Sequence, residues 1–407
     1  MISFLYKNKN IMIVVLSNII NVLFGFLINI IATQILSVSD FGYYKAFITA
    51  LQLFGSLINF GIYYTIGKLY AEQKGDDFNS ILHTSTVVIL VSIHIIAFVT
   101  ISIATLILFY SGLIIPTYVL LGLSLSIIIL FQNYFLQKYQ SQKRFIRYSI
   151  VGVFSNLSLF IYCTVFYFLN IQIIIRDFII FYSLSNLLFY FIFIAFERKG
   201  KPSRDSIAEI ISTNRKHGLQ LYYGSLFSVS IAYLLSTLIA SISGLEEFAF
   251  YSLGNSLAAP LIYIPTSFTT IYYSSYVSIK SIPLKKIIIV LSFTLISAIA
   301  IFLGVNFFIP YLVGVTYSKS VYYTGVLLIY YFLIGFGDFI NRFLYIKGFA
   351  KKIRNLSIAN GMTLIIFASI LIPHLNINGL IIAKILSGVV YLGLLIIIYY
   401  KNVSRTI

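Results

Sequence analysis

The stretch Ser39-Asp40-Phe41-Gly42-Tyr43-Tyr44 returns 207 residues later as Glu246-Glu247-Phe248-Ala249-Phe250-Tyr251. Two more pairs recur at almost the same distance. Phe135-Leu136 followed by Lys143-Arg144 is matched by Phe343-Leu344 followed by Lys351-Lys352, at an offset of 208. Leu169-Asn170-Ile171 is matched by Leu375-Asn376-Ile377, at an offset of 206. Each match alone is weak. Their common offset, close to half of the 407 residues, marks a chain built from two related halves.

Composition says what each half is made of. Hydrophobic residues make up 60% of the chain, charged residues only 10%, and the mean hydropathy is +0.98, which excludes a soluble enzyme. A bilayer-crossing helix needs about 20 mostly apolar residues. Apolar runs bounded by charges or turn residues predict twelve such spans, at 11–35, 42–67, 81–109, 113–137, 146–169 and 174–196, then 219–243, 248–276, 285–312, 320–346, 353–373 and 377–400. The third and fourth are separated only by Tyr110 to Leu113, and the eighth carries Pro260 and Pro265. The first run is too long for a signal peptide and no small-residue cleavage site follows it, so it reads as an uncleaved span. The expected fold is an all-α polytopic membrane protein with about twelve transmembrane helices in two six-helix pseudo-repeat bundles. Six is even, so the halves share one orientation. Residues 1–197 form the N-terminal bundle, 198–217 a basic cytoplasmic linker, and 218–407 the C-terminal bundle.

The net charge of +17 would suggest nucleic acid in a soluble protein. In a membrane protein basic residues collect in cytoplasmic loops. With the N-terminus inside, 24 of the 28 Lys and Arg fall on the cytoplasmic side, which predicts cytoplasmic termini and leaves no case for a nucleic-acid partner. Arg176 and Lys319 fall outside, and Lys45 and Lys384 fall within spans. The single cysteine, Cys163, excludes an intrachain disulfide.

Gln34-Ile35-Leu36-Ser37-Val38-Ser39-Asp40-Phe41-Gly42-Tyr43-Tyr44, with Phe60-Gly61 ending the second span, resembles a known family. It is that of the polysaccharide flippases of the multidrug/oligosaccharidyl-lipid/polysaccharide exporter superfamily, most closely the Wzx-type O-antigen flippases. Their pattern is a first span, a short L-x-x-x-D-F-G turn and a second span ending near F-G. Related teichoic-acid and capsule flippases share it. Length and topology agree along the whole chain. The resemblance implies two lobes working by alternating access, a substrate oligosaccharide linked through pyrophosphate to undecaprenol, and a central cavity lined mainly by spans 1, 2, 7 and 8. Because substrate contacts vary widely within the family, no site residue is carried over from it. Membrane lipids and polysaccharide polymerase machinery are candidate partners.

The residues themselves supply the candidate site. Polar side chains recur at helical spacing on the first span, at Asn18, Asn21, Gly25 and Asn29, and on the second, at Lys45, Thr49, Gln52, Ser56, Asn59 and Tyr63. Such a stripe faces either a polar cavity or a neighbouring helix, since Asn, Ser and Thr commonly bond helices together. Ser225, Ser228, Ser252 and Asn255 are the repeat partners of these positions. A charge inside the bilayer costs about 2.5 to 3.5 kcal/mol on insertion scales. Lys45, one turn into its span, can meet a pyrophosphate or acidic sugar, or snorkel to the interface. Lys384 lies deeper, about two turns into the last span. Asp338 and Arg342, four apart on the tenth span, can form an ion pair, or Asp338 can bind a proton or cation for coupling. His94 reads as a packing residue rather than a proton relay. Tyr63 and Tyr263 are candidates to stack on sugar rings.

Catalysis finds little support. The four histidines lie on separate segments, and neither a metal-ligand spacing nor a phosphate-binding G-x-x-x-x-G-K-[ST] loop is present, so no cofactor or metal is expected. Two rivals stand beside the flippase: a small-molecule exporter of the same superfamily, and a membrane O-antigen polymerase or ligase. The first typically moves organic cations, which mostly basic cavity charges oppose. The second usually carries a large external loop, and every external loop here is short.

Overall fold

The computed structural model describes residues 9–72, 75–111, 115–197, 200–279 and 281–403, and among them every regular element is helical. Of the residues counted on the cytoplasmic side, Lys7, Lys74, Arg198, Lys199, Lys280 and Arg405 lie outside these, as does Leu113. Hydrocarbon offers no partners to peptide groups, so apolar runs of this length satisfy their own as helices. The first span is Lys9–Ile35, and the second is bent by 64° between Val38–Ile58 and Ile62–Ala71. Asp76–Tyr110, Thr117–Leu125 with Ile127–Ser141, Phe145–Phe168 and Ile175–Phe196 complete the first six. Arg204–Ser243 contains the seventh. The eighth is Leu245–Ala258 and Tyr263–Ser278, joined by a tight turn at Ala259–Ile262 around Pro260. Leu284–Leu312 and Ser318–Ile346 follow. The last two share a continuous run, Ala350–Val403, divided at Asn376 by φ 49° and ψ −126°.

Among the described residues nine helices are long and apolar enough to cross a bilayer unaided, and the bent pair makes a tenth. The proline-broken eighth span and the division at Asn376 bring the number to twelve, as expected. Two boundaries differ from the sequence reading. The fourth span begins after Pro116 and continues through Lys138, which does not end it because Glu197 meets its ammonium inside the bundle. Ahead of the seventh span, the hydrophilic stretch from Arg204 is itself helical and runs on through a π-turn at Asn214–Gly218.

The chain divides into two compact units, Met1–Leu226 and Phe227–Ile407. In the first, the first span packs along the fifth and the fourth against both parts of the second. Its core is rich in large rings, with Tyr70, Tyr134, Phe135, Tyr139 and Tyr190 all fully enclosed. In the second unit the tenth span packs against the eighth, the ninth and the terminal helices, around Tyr276, Phe339, Phe343 and Leu395.

Turn geometry fixes the repeat more firmly than residue identity does. The second span starts with Phe41 N–H donating to Ser37 C=O (2.9 Å), and the eighth with Phe248 N–H donating to Gly244 C=O (3.1 Å), an offset of 207. Ser37 caps its helix by accepting from Asp40 N–H at 3.1 Å, whereas Gly244 holds the equivalent place with φ +81°. After the fifth span Asn170 takes φ 54°, and Asn376 takes 49° at offset 206; Asn is among the few residues that enter this left-handed region readily. The match at offset 208 needs correcting. Arg144 N–H bonds Tyr139 C=O behind Lys143 at φ 57°, and Phe349 N–H bonds Leu344 C=O behind Gly348 at φ 85°. These are the same helix-ending motif at offset 205. The residue match there was three positions, almost one turn, out of register.

The break in the second span has a visible cause. Phe60 (φ 44°) and Gly61 (φ 82°) interrupt the helix and free carbonyls of the preceding turn. Asn214 Nδ2 donates to Phe60 C=O (3.0 Å), and Tyr222 Oη donates to Leu57 C=O (2.6 Å). Thr65 Oγ1 donates to Asn214 Oδ1 (2.9 Å). The π-turn and the start of the seventh span thus dock on the break. Gly61 faces Gly218 so closely that a Cβ at Gly61 would lie 2.5 Å from the Gly218 carbonyl oxygen.

Candidate functional site

Lys45 sits seven residues into a helix that begins at Val38, about two turns and not one, because Ser37 caps the helix ahead of the expected boundary. Its ammonium donates to Asn29 Oδ1 of the first span at 2.5 Å and lies 5.4 Å from the Phe41 ring centroid and 5.6 Å from that of Tyr44. It therefore turns inward, toward the first span. Aromatic faces attract a cation through their quadrupole, which offsets part of its desolvation.

Lys384 is only 5% exposed. It donates to Tyr251 Oη at 2.5 Å and lies 5.2 Å and 5.7 Å from the Tyr251 and Tyr330 centroids. Among the described residues no carboxylate comes within 4.0 Å of it. Asp338, half-buried on the tenth span, accepts from Tyr391 Oη at 3.0 Å, and Asn341 Nδ2 donates to that same hydroxyl at 2.7 Å. Arg342 is exposed, and no ion pair within 4.0 Å joins it to Asp338. The geometric option of an i to i+4 pair is not taken.

The polar stripes divide between two uses. Asn21 accepts from Asn156 Nδ2 of the fifth span at 2.8 Å, and Gly25 lies against the same amide, so this part bonds helices together. Asn18 is exposed. On the second span Thr49, Gln52 and Ser56 are half-buried in line with Lys45. Asn59 is buried and spends its amide on the break: Nδ2 donates to Ser56 C=O (2.6 Å) and Oδ1 accepts from Gly61 N–H (2.8 Å). In the second unit, half-buried Asn255 accepts from Tyr331 Oη at 3.0 Å. His94 is buried against Ser126, where the fourth span breaks.

Three features escaped the sequence reading. Tyr251 and Tyr330 partner Lys384, but among 33 tyrosines nothing in spacing marks them. Ser155 donates to Asn186 inside the first unit, two ordinary polar residues in apolar runs. Finally, Lys138, only 2% exposed, pairs with Glu197 at 3.0 Å, and Tyr139 Oη (2.6 Å) and Arg147 Nη1 (2.9 Å) donate to the other carboxylate oxygen. Burial acts to raise the Glu197 pKa, but Lys138 and the donated hydrogen bonds outweigh it and hold the carboxyl below its usual range. Beside this cluster His83 Nδ1 meets Tyr134 Oη at 2.5 Å. Among the described residues no group of His, Cys, Asp and Glu is placed to hold a metal. The second unit also has an apolar groove of about 830 Å³ between the ninth and tenth spans, past Phe302, Asn306, Tyr322 and Phe332.

The fold of two six-helix units related by a duplication is that of several solved transporters. A MATE-family multidrug resistance transporter in an inward-facing conformation matches over 95% of both chains, at 16% identity and TM-score 0.68. The lipid II flippase MurJ, in an inward closed conformation, matches over 95% of this chain and 87% of its own, at 14% identity and TM-score 0.67. MATE in a straight conformation matches over 97% and 94%, at 16% and 0.57. No curated protein matches the chain. The model of the polysaccharide biosynthesis protein family matches residues 8–275, and the chain belongs to that family.

Proposed function

We propose that the protein is a flippase that moves an undecaprenyl-pyrophosphate-linked oligosaccharide, an O-antigen or capsule repeat unit, from the cytoplasmic to the outer leaflet of the bacterial inner membrane by alternating access. Both termini are cytoplasmic, and the basic stretch 198–217 lies on that side. The observation that carries the reading is the lysine kept inside the spans of each half, Lys45 and Lys384, in a chain of the polysaccharide biosynthesis family. In a medium of low dielectric constant an ammonium interacts strongly with phosphate. Asn29, Gln52 and Asn255, beside these cations or along the same face, supply hydrogen bonds to sugar hydroxyls, with exposed Asn18 as an outer candidate. Asp338 carries the coupling ion. The lipid tail stays in the bilayer, and no covalent chemistry takes place.

Deleting the gene tests the reading. Surface polysaccharide should be lost while lipid-linked repeat units accumulate facing the cytoplasm, and the intact gene should restore export. Normal surface polysaccharide in the deletion strain sinks the proposal. A second reading, a small-molecule exporter, is favoured by one observation, the half-buried Asp338 carboxylate, which suits a cationic substrate. Under that reading the deletion strain becomes sensitive to cationic dyes and keeps its polysaccharide.

A further inference from the structure

The two span lysines do not correspond in the repeat, yet each approaches a tyrosine that does. Tyr44 and Tyr251 are equivalent at the offset of 207 that the helix starts fix. Lys45 Nζ lies 5.6 Å from the Tyr44 centroid, and Lys384 Nζ lies 5.2 Å from that of Tyr251. At the repeat position of Lys45 the second half has Ser252. At the repeat position of Lys384, by the offset of 206 at Asn170 and Asn376, the first half has Phe178. Phe178 is fully buried and its ring meets Tyr44 edge-on at 4.8 Å, so a side chain from the sixth span touches Tyr44 as one from the twelfth touches Tyr251. Depth agrees as well. Lys45 is seven residues from the helix start at Val38, and Lys384 is seven from Ile377, just past the division at Asn376.

We infer that each half holds its own anion-binding point, marked by Tyr44 in one and Tyr251 in the other, and that the ammonium reaches it from the second span in the first half and from the twelfth in the second. The ligand at each is a phosphoryl oxygen. Lysine is a point charge suited to phosphate, and the buried ammonium of Lys384, with aromatic faces and a hydroxyl around it, has no carboxylate within 4.0 Å among the described residues. If these lysines served helix packing alone, nothing would favour placing both at one depth beside the same tyrosine. The inference rests on the flippase reading for its substrate but makes a claim about position that the reading does not contain.

The test moves the charge within each half. Purified full-length protein in detergent is heated with and without inorganic pyrophosphate, and the same variants are assayed for export in the deletion strain. Pyrophosphate should stabilise the parental protein, and Lys45→Met and Lys384→Met should each weaken its binding about tenfold, the scale of one hydrogen bond to a charged group. Adding Phe178→Lys to Lys45→Met, or Ser252→Lys to Lys384→Met, should restore both binding and export. Where a relocated variant fails to accumulate, Lys45→Arg and Lys384→Arg take its place and should retain the shift that the Met variants lose. A parental protein indifferent to pyrophosphate, or folded relocated and Arg variants no better than Met, overturns the inference. Normal polysaccharide in the deletion strain sinks the flippase reading alone and leaves the pyrophosphate measurement standing.

Discussion

At the scale of single residues, the charges within the spans differ in how far the fold shields them from water. Asp338 and Arg342 look like a pair in the sequence and are not one in the structure, since the carboxylate bonds Tyr391 while the guanidinium is exposed. Their substitutions should therefore separate. If Asp338 carries the coupling ion as proposed, Asp338→Asn should lower export about tenfold at unchanged protein level, while Arg342→Gln stays within about twofold. Export measured in the complemented deletion strain checks both, and equal losses would restore the pair. The spacing of Asn18, Asn21, Asn29 and Lys45 disclosed which helix face each occupies. It could not disclose that Asn29 meets Lys45 while Asn21 meets Asn156, because periodicity fixes direction and says nothing of the neighbour.

At the scale of elements, breaks in helices do more than their apolar content suggests. The second span reads as one hydrophobic run, and the run continues through Phe60, so the bend was hidden although Asn59 and Gly61 both signal a turn. Gly61→Val should lower the melting temperature in detergent and cut accumulation, because the position needs φ +82° and abuts the Gly218 carbonyl. Asn214→Ala should cost roughly 1–3 kcal/mol, since it strips the part-buried Phe60 carbonyl and the buried Thr65 hydroxyl of a partner. A melting temperature unchanged in both variants would show that the docking contributes nothing.

The Glu197 cluster ties the end of the sixth span to the fourth and fifth, and its pH dependence follows from the lowered pKa. A carboxyl depressed by its partners stabilises above its ordinary value near 4.5, and that contribution is lost as pH falls through the lower folded value. Glu197→Gln should therefore lower the melting temperature at neutral pH and flatten its decline in acid. Lys138→Met, which leaves the carboxylate half-paired, should cost about 3 kcal/mol.

At the scale of the whole molecule, the duplication and the twelve spans were legible because bilayer thickness and a shared offset act over many residues at once. Register at the turn after the fourth span was not, because identities drift there while the backbone motif persists, at Lys143 in one half and Gly348 in the other. Reporter fusions should place both termini on the cytoplasmic side; opposite sides would contradict an even number of spans. The docking of Asn214 and Tyr222 on the broken second span has a practical outcome for cutting the chain in two. The hydrophilic stretch after Glu197 looks like the natural place to cut, but a fragment ending there leaves the Leu57 and Phe60 carbonyls without their donors. A fragment ending at Leu226 keeps them. It also severs the seventh span, so halves divided after Glu197 should reassemble into a working protein only where the helix from Arg204 docks again on the broken second span, and the place where the chain is most soluble is not the place where it comes apart most cleanly.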